Sequence, residues 1–433
     1  MKFRFLSRLL TQNTLLRVSS FNSFGIIIRV GCGLIMSKII AFYLGASGMA
    51  VLGDLRNFLN SVQSIGQLGF SNGVIKYVAE HKKDNNQLRI SISTALKTSL
   101  IASILVGILF VVYAVELDKY VFNNTYNYAT IIKLVGVGLP LLSLNALVLN
   151  IINGLGKYRQ VIYINVITNL LGVCLSAVLI INYNLFGALL AIVVSGIISL
   201  IIAGLFLLKK ASNLKLIFTE KIDFRILKKF SSYGVMTLFS AVTSPWIYMG
   251  IRKTIIEVDG IQKAGYWDAM LRLSDYYMMF ATTLMTLYVL PKLSEIKTNK
   301  DFRIEILNFY KTILPVFGIG LIIIYIFKTL LIKIVFNASF LEMQSIFIWQ
   351  LSGDFFKVAS LVIAYQLLAK NRFWTFIITQ IISLSIIYIT STQLIGTYGF
   401  VGASMGHLIS YVLYLIILLF IFRKALFSRS SLI

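Results

Sequence analysis

Apolar stretches of about 20 residues recur along the whole of this 433-residue chain. Each is long enough to cross the hydrocarbon core of a bilayer as a helix. Inside lipid the backbone must satisfy its own hydrogen bonds, which makes the helix the default spanning form. A transmembrane barrel would instead show short alternating segments, and none occur. The expected fold class is therefore an all-α polytopic membrane protein with about twelve transmembrane helices. The first six spans fall near 20–44, 47–75, 91–114, 129–153, 160–182 and 186–208, and the second six near 231–256, 263–291, 304–327, 341–368, 373–395 and 398–422.

Charge supports this reading. Only 13% of the residues are charged, about half the usual share of a soluble domain. The formal net charge of +24 would suggest nucleic acid in a soluble chain. Here the basic residues lie mostly in short loops, and the aromatic residues lie inside the spans, so no nucleic-acid partner is expected. One set of alternating loops, with both termini, holds 26 Lys and Arg, and the other set holds 6. The positive-inside rule then puts both termini in the cytoplasm. An even number of spans agrees. The basic N-terminal segment reads as a cytoplasmic cap or an interfacial amphipathic helix.

The two halves repeat each other at a separation of about 215 residues. LRISISTALKT from Leu88 answers FRIEILNFYKT from Phe302, VFN at Val121 answers VFN at Val335, and Arg56 answers Arg272. This divides the chain into an N-lobe over 1–208, a basic cytoplasmic linker over 209–229 and a C-lobe over 230–433. Six spans per copy is even, so both copies face the same way. The expected arrangement is two six-helix lobes related by a pseudo-twofold along the membrane normal, with a cavity between them and alternating access by rocking.

Charges inside the spans mark the candidate site, because an ion at mid-span costs roughly 2.5–3.5 kcal/mol or more and tends to be functional. Arg29, Lys38 and Arg56 lie on the first two spans, and Arg252, Lys253 and Arg272 occupy the matching part of the second copy. With Lys357 they form a candidate anion-binding set, arginine chelating phosphate oxygens and lysine acting as a point charge. For each, the bland alternative is a staple to a carboxylate. For Arg252 and Lys253, near the outer end of their span, it is an interfacial anchor. Asp268, Arg272 and Asp275 share one helix face, and Asp354 and Lys357 are three apart. Asp268, Asp275 and Asp354 are the ion-coupling candidates, for H+ or Na+, with a charge-compensated cluster as the alternative.

Other chemistry has little support. Cys32 and Cys174 lie in apolar runs and offer neither a disulfide framework nor a metal site. His81 and His407 are far apart in sequence and read as isolated structural residues. No Walker motif occurs, so no ATP hydrolysis, resident cofactor or metal is expected.

Several strings resemble the Wzx family of lipid-linked oligosaccharide flippases, within the superfamily that also holds the multidrug extruders and the lipid II flippases. They are LGASGMAVLGDLRNFLNSV from Leu44, FSNGVIKYVAE from Phe70, SDYYMMF from Ser274 with YVLPKLS after it, and FIWQLSGDFFKVASLVIAYQLLAK from Phe347. The last is the most specific, because it sets Asp354 and Lys357 in the family's Trp-Gln-Leu-X-Gly-Asp-X-X-Lys run. Within the family, the O-antigen translocases and the enterobacterial common antigen flippases are most similar. The resemblance implies an undecaprenyl-diphosphate-linked oligosaccharide as substrate, moved from the cytoplasmic to the periplasmic leaflet by an ion-coupled transporter that is not an enzyme. It implies membrane lipids, a polysaccharide polymerase and a chain-length regulator as partners. The alternatives are a cation-coupled multidrug exporter of the same fold and a membrane polysaccharide polymerase or ligase.

Overall fold

The computed structural model describes residues 14–122, 129–208, 220–370 and 372–427. The first part of the expected N-terminal cap, residues 209–219 of the linker and the last six residues lie outside the described residues. Sixteen α-helices follow one another: α1 Thr14–Tyr43, α2 Gly45–Gly66, α3 Ser71–Glu80, α4 Asn85–Val112, α5 Ala114–Phe122, α6 Ala129–Gly154, α7 Tyr158–Leu208, α8 Phe224–Asp259, α9 Ile261–Leu284, α10 Leu290–Glu295, α11 Asn299–Ile326, α12 Lys328–Val335, α13 Gln344–Ala369, α14 Phe373–Tyr398, α15 Val401–Ile421 and α16 Arg423–Phe427.

Among the described residues, nine helices are long and apolar enough to cross a membrane. One of them, α7, is two spans. Asn184 breaks it with a non-helical backbone at φ 49°, ψ −130°. A Cβ on Gly187 would overlap the carbonyl of Leu179. Eight residues of straight helix would separate those two by about 12 Å, so the chain has doubled back. The remaining two spans are α2 and α9. They are less apolar because they carry Asp54 and Arg56, and Lys263, Asp268, Arg272 and Asp275. The molecule is an all-α polytopic membrane protein, and its twelve spans are ten apolar crossings plus these two charged helices.

The repeat is visible element by element. Asn85 and Asn299, Ala114 and Lys328, Ala129 and Gln344, and Tyr158 and Phe373 open corresponding helices, 214 or 215 residues apart. Special backbone positions repeat as well. Gly45 and Gly260 both have positive φ just before or at the start of α2 and α9. The counterpart of the Asn184 break is Gly399, at φ 60°, ψ −151°, between α14 and α15. Gly402 then sits against Leu394 as Gly187 does against Leu179. Asn184 therefore occupies a turn whose other copy uses glycine.

The expected second span, 47–75, is shorter than drawn. Leu68 and Gly69 both take positive φ and separate α2 from α3. The expected span 263–291 passes from α9 through a π-turn, Met285–Val289, into α10. A 3-10 turn, Ala338–Met343, precedes α13.

The helices pack as two compact units. One runs up to Met36 and resumes over Phe58–Val242. The other joins Ser37–Asn57 to Thr243–Ile433. The boundaries therefore fall inside α1, α2 and α8. In the first unit, Phe70, Val74, Val78, Ala95, Leu147 and Phe230 form an apolar core. Beside it Arg89 pairs with Glu220 at 2.5 Å, and Lys97 donates to the Glu220 carbonyl at 2.6 Å. In the second unit α13 packs against α15, and α15 against α14. At another crossing in that unit, Gly265 lets α9 meet α2, because a Cβ there would overlap the carbonyl oxygen of Ala46.

Candidate functional site

The close crossing of α2 and α9 draws a set of ionised side chains together in the second unit. Arg252 of α8 donates from Nη1 to Asp54 Oδ1 at 2.5 Å and from Nη2 to Asp268 Oδ1 at 2.8 Å. Arg272, one turn along α9, donates from Nε to Asp268 Oδ2 at 3.0 Å. Arg56 lies 3.7 Å from Asp268 and 3.9 Å from Asp275. Gly53 makes room for this, since a Cβ there would overlap both Asp268 and Arg252. Trp267 covers the Arg252 guanidinium, its ring 5.6 Å away. The cluster holds three arginines and three aspartates, so its formal charge is zero.

The cluster has a sealed end and an open end. Arg252 and Asp268 have no exposed side-chain surface, whereas Arg56 is 33% exposed and Asp275 64% exposed. This corrects the expectation for Arg252. It is neither an interfacial anchor nor open to a ligand, because both its carboxylates are already bound and no solvent reaches it. Arg56 is also distinct from its sequence neighbour Asp54. The two carboxylates within 4 Å of it come from α9. Its guanidinium is the most exposed of the three in the cluster.

Asp354 belongs to a second group, built by α9, α13 and α15. Ser274 and Tyr277 each donate to Asp354 Oδ2 at 2.5 Å. His407 Nε2 lies 3.0 Å from Asp354 Oδ1. The Gln350 amide nitrogen lies 3.2 Å from the same ring nitrogen and 3.4–3.5 Å from the carboxylate oxygens. Ser404 donates to the Gln350 oxygen. Gly353 gives His407 its place, since a Cβ there would overlap the ring. The expected Asp354–Lys357 pair is not formed. The Lys357 ammonium lies over the Tyr411 ring, 5.4 Å from its centroid, and Tyr411 in turn meets His407 edge to face. His407, read from sequence as isolated, is a hydrogen-bond partner of Asp354.

The other candidates lie apart. Lys38 donates to the carbonyl of Lys333 at 2.8 Å and so caps the end of α12. Lys253 is exposed on α8, one residue beyond the sealed arginine, and Arg29 is exposed on the part of α1 that belongs to the first unit. Among the described residues, no group of three or more His, Cys, Asp or Glu could hold a metal ion.

Comparison with known proteins gives this arrangement a family. A family model described as Polysaccharide biosynthesis protein matches residues 15–297. The chain belongs to this family. The match begins in α1 and ends past α10, so it contains α2, α8 and α9, the three helices that build the ion-pair cluster. Two relatives are the Lipid III flippases of Escherichia coli (strain K12) and Shigella flexneri, each 25% identical over 404 residues, covering 93% of this chain and 96% of theirs. Both agree with the resemblance to Wzx-type flippases drawn from the motif strings. Among solved structures, the lipid II flippase MurJ in an inward closed conformation matches with a TM-score of 0.71 at 17% identity, covering 94% of this chain and 87% of its own. An inward-facing multidrug resistance MATE family transporter of the MOP superfamily matches with a TM-score of 0.67 at 14% identity, covering 93% and 98%. The family member described here thus has the fold of polytopic transporters rather than of catalysts.

Proposed function

We propose that this chain moves an undecaprenyl-diphosphate-linked oligosaccharide, of O-antigen or enterobacterial common antigen type, from the cytoplasmic to the periplasmic leaflet of a bacterial inner membrane. The observation that carries this reading is the end-to-end likeness to the Lipid III flippases, over 93% of this chain and 96% of theirs. The site supports it chemically. A diphosphate needs a desolvated cation, and Arg56, half-open beside Arg272, offers a planar fork for phosphate oxygens. Lys38 and Lys253 belong to the same proposed set, and Arg29, in the first unit, is a candidate of its own. Arg252 serves it indirectly, by holding Asp54 and Asp268.

Transport runs by ion-coupled alternating access, with H+ or Na+ carried by a carboxylate among Asp268, Asp275 and Asp354. Asp268 is locked by two arginines in hydrogen bonds and faced by a third, which favours the other two. Both termini lie in the cytoplasm, and a polysaccharide polymerase and a chain-length regulator are the downstream partners. The likeness to multidrug transporters, at 14% identity, concerns the fold and carries no substrate.

Complementation of a strain lacking its lipid-linked glycan flippase tests this. The wild-type chain restores surface glycan. Arg29→Gln, Arg56→Gln and Arg272→Gln reach the membrane but do not restore it. Full activity in all three variants would remove the cationic site from the mechanism, and failure of the wild type with every donor glycan would remove the substrate class.

A further inference from the structure

Asp354 is fully buried, and each of its oxygens is met by a protein donor: Ser274 and Tyr277 on Oδ2, His407 on Oδ1. A sodium site needs oxygen lone pairs turned toward a void. Here two hydroxyl groups and the His407 ring nitrogen already occupy those positions. What the geometry does accommodate is a proton. His407 Nε2 stands 3.0 Å from the carboxylate and 3.2 Å from the Gln350 amide nitrogen. One ring nitrogen cannot donate to the carboxylate and accept from the amide at the same time. The group therefore has two arrangements. In one, Nε2–H donates to the carboxylate. In the other, which holds one proton more, a carboxyl O–H donates to bare Nε2 and the ring N–H is on Nδ1. The Gln350 amide, within 3.5 Å of both carboxylate oxygens, can follow either.

We propose that Asp354 and His407 together carry the coupling proton, with Ser274, Tyr277 and Gln350 as positioning residues. This rests on the transport reading above and narrows it to one ion and one pair. In the unloaded form, carboxylate and neutral imidazole bear one negative charge between them. A proton taken from water on one side of the membrane enters the ring at Nδ1 and neutralises the pair, and the proton already on the Oδ1–Nε2 bond can then sit on either atom. It leaves as a hydronium ion to water on the other side. The charged and titratable groups around the pair are Lys357 on α13, Tyr277 and Asp275 on α9, Tyr411 on α15 and Tyr248 on α8, while α11 presents Phe317 to Tyr277. Lys357 offsets the unloaded charge without taking a hydrogen-bond position.

The position of the pair also explains how it senses substrate. Ser274 and Asp275 are adjacent on α9. The first binds the Asp354 carboxylate, and the second faces Arg56 at 3.9 Å. An anion that captures Arg56 takes the cation away from Asp275, one residue from the group that orients Asp354. Substrate and proton are thus read by neighbouring side chains of one helix.

Infrared difference spectroscopy of the full chain in liposomes, titrated with pH, tests the pair without any substrate. The wild type gives a protonated-carboxyl band that appears as pH falls, and replacing sodium by choline leaves it unchanged. Asp354→Asn removes the band. His407→Gln displaces its midpoint by about one pH unit or more, the equivalent of about 1.4 kcal/mol. Tyr277→Phe moves the band to higher wavenumber, because the carboxyl group loses a donor, and it serves if the histidine variant does not fold.

A second arm uses a fluorescent prenyl-diphosphate disaccharide in proteoliposomes. A gradient of one pH unit gives about tenfold accumulation for one proton. Asp354→Asn and His407→Gln abolish the accumulation. A band that survives Asp354→Asn, or that sodium displaces, overturns the proposal. A probe that fails to move in the wild type while the titration stands overturns the glycan reading and spares the proton pair.

Discussion

At the scale of the residue, Arg252 and Arg56 look alike in the sequence and act differently. Arg252 is sealed between Asp54 and Asp268. Removing one partner of such a buried pair strands the others, at a cost of about 3–5 kcal/mol. Arg252→Gln should therefore lower the melting temperature sharply in detergent and reduce the amount of protein in the membrane. Arg56 is one-third exposed, and its nearest carboxylate lies 3.7 Å away. Arg56→Gln should change stability by about 1 kcal/mol or less, with the melt near that of wild type and transport lost. The sequence named both arginines as site residues but could not rank them, because burial depends on helices some 200 positions away. It also passed over His407. A lone histidine in an apolar run carries no local signature. Its partners Gln350 and Asp354 lie 57 and 53 residues earlier, and only the packing of α13 on α15 joins them. The signal available in retrospect was depth, since a histidine in mid-span needs a polar partner.

At the scale of the element, apolar runs identified the hydrophobic spans well and the two polar ones by inference. Helices α2 and α9 hold charges that lower their hydropathy, and the runs drawn over them, 47–75 and 263–291, extend past the helix ends. Their crossing depends on Gly265, which admits the Ala46 carbonyl. Gly265→Val should force the backbones apart, costing about 1–3 kcal/mol as overpacking does. The same change should loosen the Arg252 cluster, so that a thermal melt and transport fall together. The turn at Asn184 gives the opposite expectation. Its backbone lies where glycine is at ease and other residues are strained, and the matching turn uses Gly399. Asn184→Gly should raise the melting temperature, by about 1 kcal/mol of relieved strain, without loss of transport. The sequence divided 160–182 from 186–208 at this turn.

At the scale of the molecule, the duplication was legible because the separation of 213–216 residues stays constant across every matched string. The way the halves share their helices was not. Ser37–Asn57 packs with the second unit, and no hydropathy pattern reports which neighbour a helix has chosen. Both termini are expected in the cytoplasm, so a green fluorescent protein fused after the last residue should fluoresce and a periplasmic phosphatase at the same place should stay inactive. The reverse result would invert the orientation and the direction of transport with it.

The Asp54–Arg252 pair has a consequence for how the protein is made. Its two members are 198 residues apart. At about 5–20 residues per second, a ribosome needs roughly 10–40 s to reach the arginine after the aspartate has been synthesised. For that time α2 carries Asp54 without the arginine of α8, and Arg56 without the aspartates of α9. The helix has to be sheltered beside the insertion machinery or held at the membrane surface until its partners emerge. Slowing translation between the two positions should expose the nascent chain to membrane quality-control proteases, even though the finished protein is unchanged.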